Sequence, residues 1–163
     1  MRDENMEPLR IFIHGLESNN QGTKAVYFRK NFPGMLTPNF PGSLDERMAK
    51  LQDLVAGKGH ILMVGSSFGG LMASIFAMEN EPSVRRLILL APAINLMEFL
   101  PYRGRKILTP VHLYHGRQDE VVPIEEVESV ASRVFSNLTF HAVDDDHYLH
   151  KTFEGIEWEE LLA

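Results

Sequence analysis

Ile61-Leu62-Met63-Val64-Gly65-Ser66-Ser67-Phe68-Gly69-Gly70 is the stretch that decides the fold. Ile61 to Val64 is fully apolar and reads as a strand buried on both faces. Phe68 to Glu79 reads as a helix that is apolar nearly all round, and therefore deeply buried. Between them, glycine stands two residues before and two residues after Ser67. This is the G-x-S-x-G spacing in the context it requires: strand, sharp turn, helix. A serine at such a turn sits at a strained backbone position with its hydroxyl clear of the sheet. Side chains at the flanking positions would collide, so both want glycine. Only Ser67 has glycine at both offsets; Ser66 does not.

Outward from this unit, short apolar runs alternate with longer amphipathic ones. Leu9 to Ile13 reads as a strand, and Gly22 to Phe32 as a helix on Ala25, Phe28 and Phe32. Met35 to Thr37 is a weak strand candidate between turn residues. Ser43 opens a second helix, with Glu46 three residues on in the capping-box arrangement. Its apolar stripe is Leu44, Met48, Leu51 and Val55, and Gly57 ends it. Leu87 to Leu90, Val111 to His115 and Leu138 to Val143 are further strands. Ile124 to Val134 and Phe153 to Leu162 are helices, and Ile94 to Leu100 has room for a short one. Continuous apolar strands separated by helices indicate a parallel sheet covered on both faces. The expected fold class is α/β: a three-layer α/β/α sandwich with a mainly parallel sheet of about six strands. With 163 residues, residues 1–163 are expected to form one domain.

In such a sheet, ligands sit beyond the carboxyl ends of the strands. A serine nucleophile needs a base, and the base needs an orienting carboxylate. On this kind of sheet the chain order is serine, acid, histidine. The strand ending at His115 runs into Gly116-Arg117-Gln118-Asp119-Glu120, which makes Asp119 the candidate acid and Glu120 its fallback. The strand ending at Val143 runs into Asp144-Asp145-Asp146-His147, which makes His147 the candidate base and His150 its alternative. The three aspartates read as a solvated turn; consecutive carboxylates do not converge on one ion, so no metal is expected. His112 and His115 face opposite sides of a strand, and His60 and His141 show no partner. The tetrahedral intermediate needs two N–H donors. These would come from Phe68 and from Leu16, which follows His14-Gly15 after the first strand. Leu16, Phe68, Leu96, Met97 and Phe99 supply an apolar rim suited to an acyl chain.

With these residues in place, the chain resembles the α/β-hydrolase superfamily, and its small lidless bacterial esterases in particular. The shared features are Phe12-Ile13-His14-Gly15-Leu16 with Ser18, Lys24 and Ala25 following, then Val64 to Gly70. Ala91-Pro92-Ala93 and the Asp119 loop also match. The resemblance implies carboxylesterase or thioesterase activity on small-molecule acyl substrates, with no cofactor. It implies a hydrolase-type sheet without the usual first antiparallel strands. Larger members carry a cap where this chain has only Ala93 to Thr109, so an open site is expected. Acidic residues precede His147 where the family often has glycine. Two other classes remain: a binding protein on a hydrolase fold that does not turn over, and a carbon–carbon bond hydrolase using the same three residues.

Bulk properties bound the partners. A formal net charge of -6 with no basic cluster beyond Arg103-Gly104-Arg105-Lys106 argues against nucleic acid. The absence of cysteine removes disulfides, thiolate metal sites and a cysteine nucleophile. Met1 to Pro8 lacks the apolar region of a signal peptide, and no apolar run approaches membrane-spanning length. A cytoplasmic location is expected. Oligomeric state is not legible.

Overall fold

Strands β1 (Leu9–Ile13), β2 (Ile61–Ser66), β3 (Val84–Leu90), β4 (Val111–Gly116) and β5 (Leu138–Val143) pair in the order β1-β2-β3-β4-β5, all parallel. The computed structural model describes residues 7–163. Of the polar stretch Met1 to Pro8, residues 1–6 lie outside them.

The expected strand at Met35 to Thr37 is a single parallel bridge, Ile11 with Leu36, so the sheet has five strands. Phe12 N–H donates to the Leu36 carbonyl and Leu36 N–H to that of Arg10, both at 2.9 Å. Gly34, at φ +92°, and Pro38 bracket the segment and leave no length for a ladder. The chain thus leaves β1 on its outer side and returns to β2 on its inner side. At such a reversal in an open parallel sheet, ligands bind beyond the carboxyl ends of the strands.

Alternate strand residues feed two cores. Ile11, Ile13, Met63, Leu87, Leu89 and Leu113 face helices α2 (Leu44–Val55), α3 (Phe68–Glu79) and α4 (Ile124–Val134). Phe12, Leu62, Val64, Ile88 and Leu90 face helix α1 (Thr23–Asn31) and the segment beyond residue 150. The layers are therefore α/β/α, as the continuous apolar strands require. Helix α2 begins on the expected capping box, with Ser43 Oγ accepting from Glu46 N–H and Glu46 reaching back to Ser43 N–H. Beyond it Gly57 takes φ +73°.

Two helices differ from the sequence expectation. The segment Phe153 to Leu162 splits into a 3-10 turn, Phe153–Gly155, and a short helix α5 (Trp158–Leu161). Gly155 interrupts it, and burial of Phe153, Ile156 and Trp158 outweighs local helix propensity. The short helix after β3 spans Met97–Tyr102 as a 3-10 helix containing Pro101. Ile94 is instead fully buried in the core.

The second core centres on Phe28, which is fully buried. Its ring lies 5.1 Å from Phe12, 5.5 Å from Phe153 and 4.9 Å from Trp158, the last two edge-on. Trp158 Nε1–H donates to the Phe153 carbonyl at 2.8 Å. The Phe28→Ala variant is expected to lose about 3–5 kcal/mol of stability. Urea unfolding followed by Trp158 fluorescence measures it; a loss below about 1 kcal/mol would refute this account of the packing.

Candidate active site

Ser67 occupies the turn between β2 and α3 at φ 55°, ψ -116°, a conformation that costs a non-glycine residue energy. Its surroundings enforce it. A Cβ on Gly65 would lie 2.8 Å from Gly70 Cα, and one on Gly69 would lie 2.7 Å from the His14 carbonyl oxygen. Helix α3 can approach β1 and β2 this closely only because both positions lack a side chain. Ser67 N–H donates to the Leu90 carbonyl at 2.9 Å, and the Ser67 carbonyl accepts from Gly70 N–H at 2.9 Å and Ala93 N–H at 3.0 Å. Both neighbouring segments are thereby tied to the turn.

His147 Nε2 lies 3.1 Å from Ser67 Oγ, and His147 Nδ1 lies 2.7 Å from Asp119 Oδ2. The serine, histidine and aspartate named from chain order are thus in one hydrogen-bonded line. Glu120 is exposed, and His150 is directed to Asp146 instead, with Nδ1 2.6 Å from Asp146 Oδ2. The Asp119 side chain is fully buried, and its Oδ1 accepts the N–H groups of Val121 at 2.9 Å and Val122 at 2.7 Å.

The loop carrying His147 is built by a residue that the sequence reading assigned to solvent. Asp145 is buried rather than solvated. Its Oδ1 accepts Asp146 N–H at 2.8 Å, and its Oδ2 accepts Lys151 and Thr152 N–H at 2.9 Å each. Burial pulls this carboxyl up, but bonds from Thr152, Asp146 and Lys151 outweigh burial and hold it below the ordinary carboxylate range. Lys24 of α1 donates to the Tyr148 carbonyl at 2.8 Å and closes the loop from outside. An aspartate in an acidic run carries no sequence signal for this inward role.

The loop after β1 is organised by His14, which is buried. Its Nε2 accepts Phe40 N–H at 2.8 Å, so Nδ1 carries the hydrogen and donates to the Gly15 carbonyl at 2.7 Å. Burial pushes His14 below the ordinary imidazole range, with the Gly15 bond opposing, so the ring is neutral. Gly15 abuts the nucleophile turn: a Cβ built on it would lie 3.4 Å from Ser67 Cβ. Phe68 opens α3, so its N–H is one of the helix's unsatisfied first-turn donors. The buried Arg47 guanidinium lies over the Phe68 ring at 5.3 Å and donates from Nε to the Gly42 carbonyl at 3.0 Å.

Of the expected rim, Leu16 is 52% exposed, Leu96 37% and Met97 75%. Phe68 is half-buried. Phe99 is not on the rim: it is fully buried, with its ring 5.6 Å from Tyr102, because the 3-10 helix turns it inward. The sequence also missed two ring contacts. His141 stacks on Tyr114 at 4.2 Å, and His112 lies 6.1 Å from His141 across β4 and β5. His115 approaches Asp119, a contact that its position four residues earlier could have suggested. Among the described residues, no group of three or more His, Asp or Glu is placed to hold a metal ion.

No protein-family model and no curated protein sequence matches the chain. Solved structures do. Est1E from Butyrivibrio proteoclasticus aligns with a TM-score of 0.76 at 21% identity, over 97% of this chain and 87% of its own. A monoacylglycerol lipase from Paleococcus ferrophilus gives 0.71 at 14% identity, over 94% and 93%. An alpha-beta serine hydrolase homologue from Coxiella burnetii gives 0.73 at 22% identity, over 94% and 83%. The chain shares the α/β-hydrolase fold with these structures.

The Asp145 network makes a pH-dependent contribution to stability. Because the folded carboxyl titrates below its unfolded value, the contribution is complete above the ordinary carboxylate range and is lost as pH falls through the folded value. Asp145→Asn is therefore expected to lower Tm at pH 7, with the gap to wild type closing on acidification. A gap that is constant from pH 7 to about pH 3 would contradict this assignment.

Proposed function

We propose that the chain is a serine hydrolase that cleaves carboxylic esters or thioesters of small acyl substrates through an acyl-enzyme. The observation that carries this reading is the continuous line from Ser67 Oγ to His147 Nε2, at 3.1 Å, and from His147 Nδ1 to Asp119 Oδ2, at 2.7 Å. His147 takes the hydroxyl proton as Ser67 attacks the acyl carbonyl. Asp119, held by two backbone N–H groups, keeps the histidine in the tautomer whose Nε2 is free to accept. The tetrahedral oxyanion rests on the N–H groups of Phe68 and Leu16, the first aided by the positive end of α3. His147 then returns the proton to the departing alkoxide or thiolate. It next activates a water that attacks the acyl carbon and releases Ser67. No cofactor enters the cycle.

Leu16, Phe68, Leu96 and Met97 are the side chains assigned to the acyl group. Leu16 and Leu96 lie on loops, Met97 opens the 3-10 helix after β3, and Phe68 opens α3. Two of the structural neighbours carry names of ester chemistry, and Est1E is known with ferulic acid bound. Those names support esters ahead of carbon–carbon bonds. We further place the chain as one catalytic domain in the cytoplasm. Its lack of cysteine suits a reducing compartment. No helix among the described residues is long and apolar enough to cross a membrane.

Purified protein is expected to hydrolyse a short-chain p-nitrophenyl ester, and Ser67→Ala to reduce turnover by at least about a thousandfold. Turnover that persists in Ser67→Ala would reject Ser67 as the nucleophile. No turnover in the wild type across acyl lengths and thioesters would favour a binding protein on this fold.

A further inference from the structure

Asp119 faces one donor more than the orienting of His147 requires. Oδ1 takes the two backbone N–H groups and Oδ2 faces His147. His115 Nε2 stands 3.2 Å from the same Oδ2. His115 is the penultimate residue of β4, its side chain is fully buried, and its Nε2 also lies 2.8 Å from the Val122 carbonyl oxygen.

The Val122 carbonyl, 2.8 Å from Nε2, settles the tautomer. Nε2 carries the hydrogen and donates it to the Val122 carbonyl, and the same Nε2 stands 3.2 Å from Asp119 Oδ2. Nδ1, which has no partner, carries the lone pair. The opposite tautomer would bury an unpaired N–H and aim a lone pair at the Val122 carbonyl oxygen. The ring is also neutral. Burial pushes His115 below the ordinary imidazole range, against the opposing pull of the Val122 carbonyl, Asp119 and Glu125, and with His147 adding to the burial effect.

We propose that His115 is a positioning residue of the hydrolytic site: its Nε2–H, bonded to the Val122 carbonyl, fixes the turn whose N–H groups hold Asp119 Oδ1, and its positive end, 3.2 Å from Asp119 Oδ2, offsets part of the carboxylate's charge beside His147. The inference rests on the reading of Ser67, His147 and Asp119 as a catalytic set. A carboxylate relieved of some charge stabilises the His147 imidazolium less, so the resting histidine is available as a base at lower pH. The groups facing this pair are Ser67 from the end of β2, Asp119 from the loop after β4 and Glu125 from α4. Asp146 and Tyr148 flank His147 in its own loop.

The test compares His115→Phe, which keeps a ring and removes the donor, with His115→Gln, which keeps an N–H at similar reach. For p-nitrophenyl acetate, His115→Phe is expected to lower kcat about tenfold with KM within about twofold. It should also move the acid limb of the kcat/KM profile to higher pH, because the base then stays protonated further up the scale. His115→Gln should recover both. NMR titration of the His147 ring should show the same upward shift without any turnover. If His115→Phe does not fold, His115→Met provides the same comparison. A folded donor-less variant whose acid limb and His147 titration both coincide with wild type overturns the proposal, since a packing role alone predicts that result. Full turnover in Ser67→Ala would instead overturn the catalytic reading, and the NMR titration would still judge the contact.

Discussion

Everything in the site depends on the close approach of α3 to the carboxyl ends of β1 and β2. That approach leaves no volume for side chains at Gly65 and Gly69, and it forces Ser67 into left-handed backbone space. The strain is held from three sides. The Leu90 carbonyl accepts Ser67 N–H, the Ser67 carbonyl accepts Ala93 N–H, and the same carbonyl accepts Gly70 N–H from the first turn of α3. A conformation costing on the order of 1–3 kcal/mol persists only when its surroundings over-determine it. Here the same contacts tie the end of the second strand to the end of the third and to the first turn of α3.

Asp119 and His147 are set by a different device. Their loops follow β4 and β5, whose carboxyl ends are in register at Gly116 and Val143. Each loop folds around a buried carboxylate that collects backbone N–H groups: Asp119 in the first, Asp145 in the second. Gln118 N–H donates to the Asp145 carbonyl at 3.0 Å and links the two loops. The histidine is thus carried by a hydrogen-bonded frame in which side chains serve as turn anchors. Two other histidines stand behind the reacting groups. His14 and His115 are buried and neutral, and each is fixed in one tautomer by what it faces.

Strands and layers were legible because burial on both faces leaves uninterrupted apolar runs, and α3 because it is apolar all round. Ser67, Asp119 and His147 were legible because chain order and strand ends constrain where such groups stand. What escaped depends on tertiary contacts. Met35 to Thr37 has strand-like residues, yet Gly34 and Pro38 shorten it to one bridge. Asp145 looks like its two acidic neighbours and differs only in direction. Phe99 looks like a rim residue until the 3-10 helix turns it inward. The four-residue spacing from His115 to Asp119 is visible in the sequence, but the strand pattern does not show that the intervening turn folds Asp119 back onto the ring.

The two cores differ in the span of chain they need. The face covered by α2, α3 and α4 is assembled from residues no later than Phe135, apart from flanking contributions of Leu138 and Phe140. The other face joins Phe12, Ala25 and Phe28 to Leu149, Phe153 and Trp158, and Arg10 Nε to the Leu162 carbonyl. During vectorial synthesis the first face can close while the second still exposes Phe12, Phe28, Leu62 and Ile88. The nascent protein therefore passes through a stage with one finished core and one open aromatic surface. His147 lies between the two sets of residues, so the turn at Ser67 can be shaped before His147 is delivered to it.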